Sequence, residues 1–222
     1  MNKGLNRKLM GIYELMFDHF GPRNWWPAET NLEMIAGALL TQFVSWKNVE
    51  AAIKNLKDEG LLDISALCEV DTARLEELVK PARFFRQKAK KLKAFSMHVK
   101  TNYGGDLQKL LDKDMYELRD ELLSLYGIGE ETADSIVLYA AEKPIFVVDA
   151  YTRRIFSRLG FFEGDVSYGK MQQFFMDNLE HDVKLFNEYH AQIVGVGNNY
   201  CSNKKPKCAY CPLAGKCKSI IN

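Results

Sequence analysis

The spacing of apolar residues follows the α-helical period along most of the chain. Side chains three or four positions apart share one face of a helix, so such runs predict amphipathic helices. The runs are Leu5, Leu9, Ile12 and Met16; Leu32, Ile35, Ala36, Leu39 and Leu40; Val49, Ala52, Ile53 and Leu56; Leu111, Met115, Leu118, Leu122 and Leu125; Ala133, Ile136, Val137 and Ala140; Met171, Phe174, Phe175 and Leu179; and Leu185, Tyr189, Ile193 and Val196. The strand-like run 145–148 is too short to seed a sheet. The pattern predicts an all-α protein.

Two proline-containing segments interrupt this helical pattern, one at 24–27 and one at 142–144. A proline ends a helix because it lacks the amide donor and its ring clashes with the preceding turn. A chain of 222 residues is long enough for one large domain or two small ones. The breaks predict a central helical domain of residues 30–143 and a second domain formed by residues 1–29 with 144–222.

Charge is balanced over the whole chain but clustered locally. The formal net charge is +1, yet the stretch 83–100 holds seven Lys or Arg residues and no Asp or Glu. Such a stretch indicates either phosphate contacts or an ordinary solvated helix face. No apolar run approaches the roughly 18 residues of a membrane-spanning helix. We therefore expect no membrane association, and the lack of a targeting segment predicts a cytoplasmic protein.

Four cysteines lie close together near the C-terminus, with the spacing C-x6-C-x2-C-x5-C. They are Cys201, Cys208, Cys211 and Cys217, and lysines but no acidic residues lie among them. Four thiolates this close suit a zinc ion or an iron–sulfur cluster. Disulfides are the alternative, which the lack of a secretory signal disfavours. Zinc sites more often use two separated C-x2-C pairs, whereas here there is one.

A short turn, Gly127-Ile128-Gly129, separates two predicted helices. Gly127 can adopt the positive φ that ends a helix, and Gly129 lets the backbone approach another molecule closely. The free amides at the start of the next helix, near Thr132, form an anion site that would bind phosphate without reading sequence. The turn alone is equally compatible with an ordinary glycine-capped corner.

Asp149 lies at the start of another predicted helix, in Val148-Asp149-Ala150. An aspartate there can simply cap the helix by accepting a backbone amide hydrogen bond. A fixed carboxylate can also stabilise the positive charge that develops on a sugar when an N-glycosidic bond breaks, or orient the attacking water. The residue by itself leaves both roles open.

Three segments together resemble one family. The family is the endonuclease III superfamily of base-excision DNA glycosylases, the HhH-GPD proteins. Residues 125–140 resemble its helix-hairpin-helix, residues 144–156 resemble its Gly/Pro-rich loop with the catalytic Asp, and the four cysteines resemble its cluster loop. The three segments also follow one another in the order and spacing of that family. Residues 39–42 and 84–90 also resemble family segments. The resemblance extends over nearly the whole chain.

The resemblance implies two helical domains, a hairpin motif at about 115–141, a C-terminal iron–sulfur loop and a DNA cleft between the domains. It implies that Asp149 is catalytic, that the four cysteines hold a 4Fe–4S cluster and that the partner is double-stranded DNA with a damaged base. We expect a monomer, and the cytoplasmic location predicted above would place it at the nucleoid. Gln42 would fill the gap left by a flipped nucleotide. The implied DNA-binding residues are Gln42, Gly127, Ile128, Gly129, Thr132, Lys204 and Lys205.

The chain departs from the bifunctional members at Glu131, where they carry a lysine. A carboxylate cannot form the Schiff base that leads to strand cleavage. The sequence therefore predicts a monofunctional glycosylase. Neighbouring lysines are candidates to replace the missing amine, but the sequence places none of them there.

Trp26, Pro27 and Trp46 resemble the base-pocket walls of the 3-methyladenine DNA glycosylase branch, with Glu131 as a further pocket residue. Aromatic faces favour a positively charged methylated purine. The best-known form of that branch lacks the cysteine cluster, which this chain keeps. Two alternatives stay open, namely an endonuclease III-like enzyme for oxidised or mismatched pyrimidines with weak AP-lyase activity, and a non-catalytic lesion-binding protein.

Overall fold

A computed structural model of the chain describes residues 2–42 and 44–219, and all structural statements concern these residues. Within these ranges the regular structure is helical and contains no strand, which confirms the predicted all-α class. None of the described helices is long and apolar enough to cross a membrane. The chain folds as two compact units, one of Trp26–Lys143 and the other of Met1–Trp25 with Pro144–Asn222.

The unit of Trp26–Lys143 is built around a buried central helix. Its helices are α2 (Asn31–Thr41), α3 (Trp46–Asp58), α4 (Ile64–Glu69), α5 (Thr72–Leu78), α6 (Phe85–Tyr103), α7 (Leu107–Leu111), α8 (Met115–Ser124) and α9 (Glu130–Tyr139). Every residue of α2 from Leu32 to Leu40 is buried, because α3, α6 and α9 all pack against it. The end of α2 is thereby fixed beside α9.

One predicted helix is two helices in the structure. The apolar spacing from Leu111 to Leu125 predicts a single element, but α7 ends at Leu111 and α8 begins at Met115. The side chain of Asp114 accepts a hydrogen bond from the Tyr116 amide at 2.9 Å and caps α8. An aspartate at this position favours a cap over a helix interior, and Leu125 lies beyond the end of α8.

The other unit packs four described helices around an aromatic core. They are α1 (Lys3–Phe20), α10 (Ala150–Arg158), α11 (Tyr168–Asn178) and α12 (Val183–Asn199). The rings of Phe146 and Phe175 stack with centroids 4.1 Å apart, and Phe156 meets Phe175 edge-on at 4.7 Å. The run 145–148 is neither helix nor strand and is almost wholly buried, so it anchors the chain just before Asp149.

The packing of α10 against α12 requires a glycine. A Cβ atom placed on Gly197 would lie 2.2 Å from Tyr151 Cδ1 and 2.8 Å from Tyr151 Cβ. Tyr151 is held over this position, since its hydroxyl donates to Asn198 Oδ1 at 2.5 Å. The tyrosine two residues after Asp149 therefore rests on bare backbone of α12.

Candidate functional site

The turn between α8 and α9 has the geometry that its glycines predict. Gly127 has a φ of +78°, and a Cβ there would overlap the side chain of Lys91, with the nearest atom at 2.3 Å. Ile128 is buried and anchors the turn in the core. Gly129 caps α9, and nothing lies within 4 Å of the position its Cβ would take. The amides at the start of α9 are thus open to a ligand on the Gly129 side.

A buried ion pair fixes the angle between the two hairpin helices. The Arg119 side chain donates from Nε to Asp134 Oδ1 at 2.6 Å and from Nη2 to Oδ2 at 3.2 Å. Asp134 is fully buried, so this two-point contact carries both charge and orientation. Removal of either partner would leave a buried charge uncompensated.

Gln42 follows α2, and its side-chain amide is bound to the hairpin. Its Nε2 donates to Thr132 Oγ1 at 2.9 Å and to the Gly127 carbonyl at 3.3 Å, and its Oε1 accepts a hydrogen bond from Lys91 Nζ. Burial lowers the pKa of Lys91. Thr132 is 6% exposed. In this arrangement the Thr132 hydroxyl is covered, and both ends of the Gln42 amide are bound within the protein.

A pocket of about 350 Å³ lies beside α2 and α3. The ring centroids of Trp26 and Trp46 are 5.3 Å apart and meet edge-on. Trp26 lies over Gly37, where a Cβ would be 3.1 Å from the indole nitrogen. The lining residues are Trp26, Pro27, Glu33, Gly37, Trp46, Glu50, Ile53, Lys54, Lys57 and Asp58. Three of the four predicted pocket residues thus share one pocket, whereas Glu131 does not line it and lies in the first turn of α9.

Asp149 caps α10 and is 8% exposed. Its Oδ1 accepts hydrogen bonds from the Thr152 amide at 2.6 Å and the Thr152 hydroxyl at 2.8 Å, and its Oδ2 lies 3.7 Å from His190 Nε2. Burial raises the pKa of the Asp149 carboxyl, but His190 and Thr152 outweigh it, so that the pKa lies below its usual value. The residue is a helix cap that stays ionised at neutral pH.

The four cysteines of the C-terminal loop are free thiols and partly exposed. Burial is the main cause of the raised pKa of the Cys211 thiol. The charges of Cys201, Cys208 and Cys217 raise this pKa further, so the four cysteines lie close to one another. Arg158 Nη1 donates to Cys201 Sγ at 3.2 Å. In the described part of the chain, no three His, Cys, Asp or Glu side chains form a group that could hold a metal ion.

The remaining predicted contacts lie at the surface of the loop, where Lys204 and Lys205 are exposed. Sequence reasoning missed the roles of Lys91 and Arg158, which orient Gln42 and the cysteine loop. Lys91 lies in the basic stretch 83–100, whose pattern indicates either phosphate contacts or a solvated helix face, and no motif marks Arg158. Only a tertiary contact distinguishes them from their neighbours.

The geometry described above matches a known family. The chain belongs to the HhH-GPD superfamily of base excision DNA repair proteins, whose model matches residues 36–181. It is 47% identical over 209 residues to MJ1434 of Methanocaldococcus jannaschii, provisionally named a DNA repair glycosylase, with 94% of each chain covered. The resemblance drawn from the sequence is confirmed at the level of the superfamily, and the protein is a DNA repair glycosylase of this family.

Two solved structures are similar over almost the full length. The Helicobacter pylori 3-methyladenine DNA glycosylase MagIII, bound to 1,N6-ethenoadenine, is 26% identical, with a TM-score of 0.74 and coverage of 86% of this chain and 95% of that one. A non-covalent endonuclease III–DNA complex has a TM-score of 0.83 at 22% identity, covering 96% and 95%. The second likeness establishes the fold, and neither assigns this chain to a branch.

Proposed function

We propose that this protein is a monofunctional DNA glycosylase that removes an alkylated purine, such as 3-methyladenine, from double-stranded DNA. The observation that carries the proposal is the pocket lined by Trp26 and Trp46. A methylated purine is positively charged, and the faces of indole rings attract such a base by stacking and cation–π interaction. The similarity to a 3-methyladenine DNA glycosylase supports the same class of substrate.

Asp149 would assist hydrolysis of the N-glycosidic bond. The bond between the sugar C1′ and the base nitrogen breaks, the electron pair leaves with the base, and water forms the new bond at C1′. A cationic purine leaves as a neutral base, so its departure needs little help from an acid. The ionised Asp149 carboxylate would stabilise the positive sugar and accept the proton of the attacking water. The lowered pKa keeps it in the required state.

The absence of AP-lyase activity is proposed from Glu131, which stands where bifunctional members of the family carry the Schiff-base lysine. A carboxylate cannot supply the nucleophilic nitrogen. The amine of Lys91 lies near the hairpin, but it donates a hydrogen bond to the Gln42 amide. The competing function, a glycosylase for oxidised pyrimidines with weak lyase activity, would require that amine to be released.

We also propose that Cys201, Cys208, Cys211 and Cys217 hold a 4Fe–4S cluster. The donor set fits such a group: the four thiols are free of disulfides and near one another. When bound, the cluster would cross-link the loop and present Lys204 and Lys205 to the DNA backbone.

Base release from methylated duplex DNA tests the proposal, with wild type beside Asp149→Asn. The wild type should release 3-methyladenine, and nicks should appear only after alkali. Asparagine keeps an oxygen that can cap α10, so the variant should fold. Loss of the charge should lower the rate by roughly 10²- to 10³-fold.

Asp182→Asn is the matched control, because Asp182 also caps a helix of this unit and accepts the Leu185 amide at 2.7 Å. The Asp182→Asn variant should lose about as much stability as the Asp149→Asn variant, but it should keep full activity. Nicks without alkali, together with an adduct trapped by borohydride, would instead establish the pyrimidine-type enzyme. Binding of damaged DNA without turnover on any lesion would establish a non-catalytic protein.

A further inference from the structure

The pocket that contains Trp26 and Trp46 carries a net negative charge. Three carboxylates and two ammonium groups line it, from Glu33, Glu50, Asp58, Lys54 and Lys57. Most of these charges neutralise one another. Lys54 Nζ lies 2.6 Å from the Asp58 carboxylate, and Lys57 Nζ lies 2.9 Å from that of Glu33.

Glu33 is the most tightly held of the three acids. It is 7% exposed, and its carboxylate also accepts a hydrogen bond from the Glu29 amide at 2.9 Å. The hydrogen bonds that Lys57 donates to the Glu33 and Glu29 carboxylates raise the pKa of Lys57. The Lys54–Asp58 and Lys57–Glu33 ion pairs therefore neutralise their own charges and leave little net charge to attract a ligand.

Glu50 differs from the other charged lining residues. It lies one helical turn after Trp46 on α3, so its side chain shares a face with that indole. It makes no hydrogen bond and no ion pair within the described residues, and it is exposed to solvent. It therefore supplies an uncompensated negative charge beside the aromatic walls.

We propose that Glu50 makes this pocket selective for a purine that carries a positive charge over an equally bulky neutral lesion. The inference rests on the proposed function and deepens it, since it names the charge of the substrate and the residue that reads it. Aromatic walls accept flat bases of either kind, with a modest preference for cations. A nearby carboxylate adds an electrostatic attraction that acts only on the positively charged base.

Single-turnover excision tests this on two duplexes, one containing 7-methylguanine, which is cationic, and one containing 1,N6-ethenoadenine, which is neutral. The effect of Glu50→Gln is measured as the ratio of the two rates, so that contacts with the DNA backbone cancel. The ratio should fall about fivefold, as expected for one charge pair at close range in a solvated site. Glu69→Gln, an exposed acid on α4 of the same unit, should leave the ratio unchanged.

Equal loss on both lesions, or no loss on either, would overturn the role of Glu50. Release of neither lesion by the wild type would overturn the proposed function instead. A binding measurement then still tests the inference: quenching of tryptophan fluorescence by free 7-methylguanosine and by guanosine at pH 6. The wild type should prefer the cationic nucleoside by about fivefold, and Glu50→Gln should lose that preference. Equal quenching by both nucleosides in the wild type would contradict it.

Discussion

Lys88 shows how much the setting of one residue can differ from its sequence neighbourhood. It belongs to the basic stretch 83–100, yet it is 2% exposed. Its Nζ donates to the Leu40 and Ala82 carbonyls at 2.7 and 2.6 Å. Burial, and then the charge of Lys91, lowers its pKa to about 8. The sequence does indicate that Lys88 is buried, because Lys88, Leu92 and Phe95 follow the 4–3 spacing of a buried helix face.

Glu121 is a residue whose charge should stabilise the fold in a pH-dependent way. It accepts hydrogen bonds from Lys113, Tyr103 and His98, each at 2.6 Å. Burial raises the pKa of its carboxyl, but these partners lower it to about 2, against 4.5 for the free group. A lowered carboxyl pKa stabilises the folded state above the unfolded pKa, and this contribution is lost as the pH falls towards 2.

We therefore expect Glu121→Gln to lower the free energy of unfolding by about 1–2 kcal/mol at pH 7, discounted for partial solvent screening. At pH 3 the difference should shrink to less than half. Urea denaturation of both proteins at the two pH values measures this. Asp120→Asn, an exposed acid on the same helix, should show no such pH dependence, and a constant deficit in Glu121→Gln would refute the charge effect.

At the scale of elements, most helices follow from apolar spacing alone. Leu9, Ile12 and Met16 of α1 are buried as their period predicts. The division between α7 and α8 does not follow from that spacing, because it depends on the local competition between the Asp114 side chain and a continuous helix.

The α10–α12 contact makes a prediction at this same scale. Gly197→Ala should lower stability by about 1–3 kcal/mol, since the added methyl overlaps Tyr151 at its Cβ as well as its ring. The helix propensity of alanine offsets only about 1 kcal/mol of that cost. Gly11→Ala in α1 is the control, because nothing lies within 4 Å of its Cβ position.

Gly11→Ala should be neutral or stabilise the protein by up to about 1 kcal/mol. Urea midpoints of the two variants and the wild type decide the matter. A Gly197→Ala protein as stable as the wild type would show that α10 and α12 do not need this close approach.

At the scale of the whole molecule, the cysteine loop is joined to the rest of its unit through α10. Arg154 Nε donates to the Cys201 carbonyl at 2.6 Å, and Arg158 reaches both the Cys201 sulfur and the Ser202 carbonyl. Asp149 lies at the other end of this nine-residue helix. Loss of the proposed cluster should therefore loosen the helix that carries the Asp149 carboxylate, which we propose to be catalytic.

Cys211→Ser should abolish the visible absorbance of the purified protein and raise amide hydrogen exchange in residues 144–219 by roughly tenfold or more, because metal binding and folding are coupled. Exchange in residues 26–143 should change little. Cys68→Ser, which alters a free cysteine of α4, should leave both unchanged. A colourless wild type with one bound zinc would refute the iron–sulfur proposal.

The candidate site was only partly predictable from the sequence. Motif order pointed to the hairpin and to Asp149, since backbone turns and helix caps have local signatures. The meeting of Glu50 with Trp26 in one pocket and the contacts of Gln42 had no such signature. They depend on which side chains of distant segments meet, and a single sequence carries no record of that.

The two oxygens of Asp149 have separate tasks, since Oδ1 caps α10 and Oδ2 faces His190. An asparagine at position 149 can keep the hydrogen bond that caps α10, but it has no negative charge to face His190. Immobilised Asp149→Asn would thus be a capture reagent, able to retain fragments of chemically treated genomic DNA without destroying the modified nucleotide. Mass spectrometry of the retained nucleosides would then inventory the substrates of this protein with no prior choice of lesion.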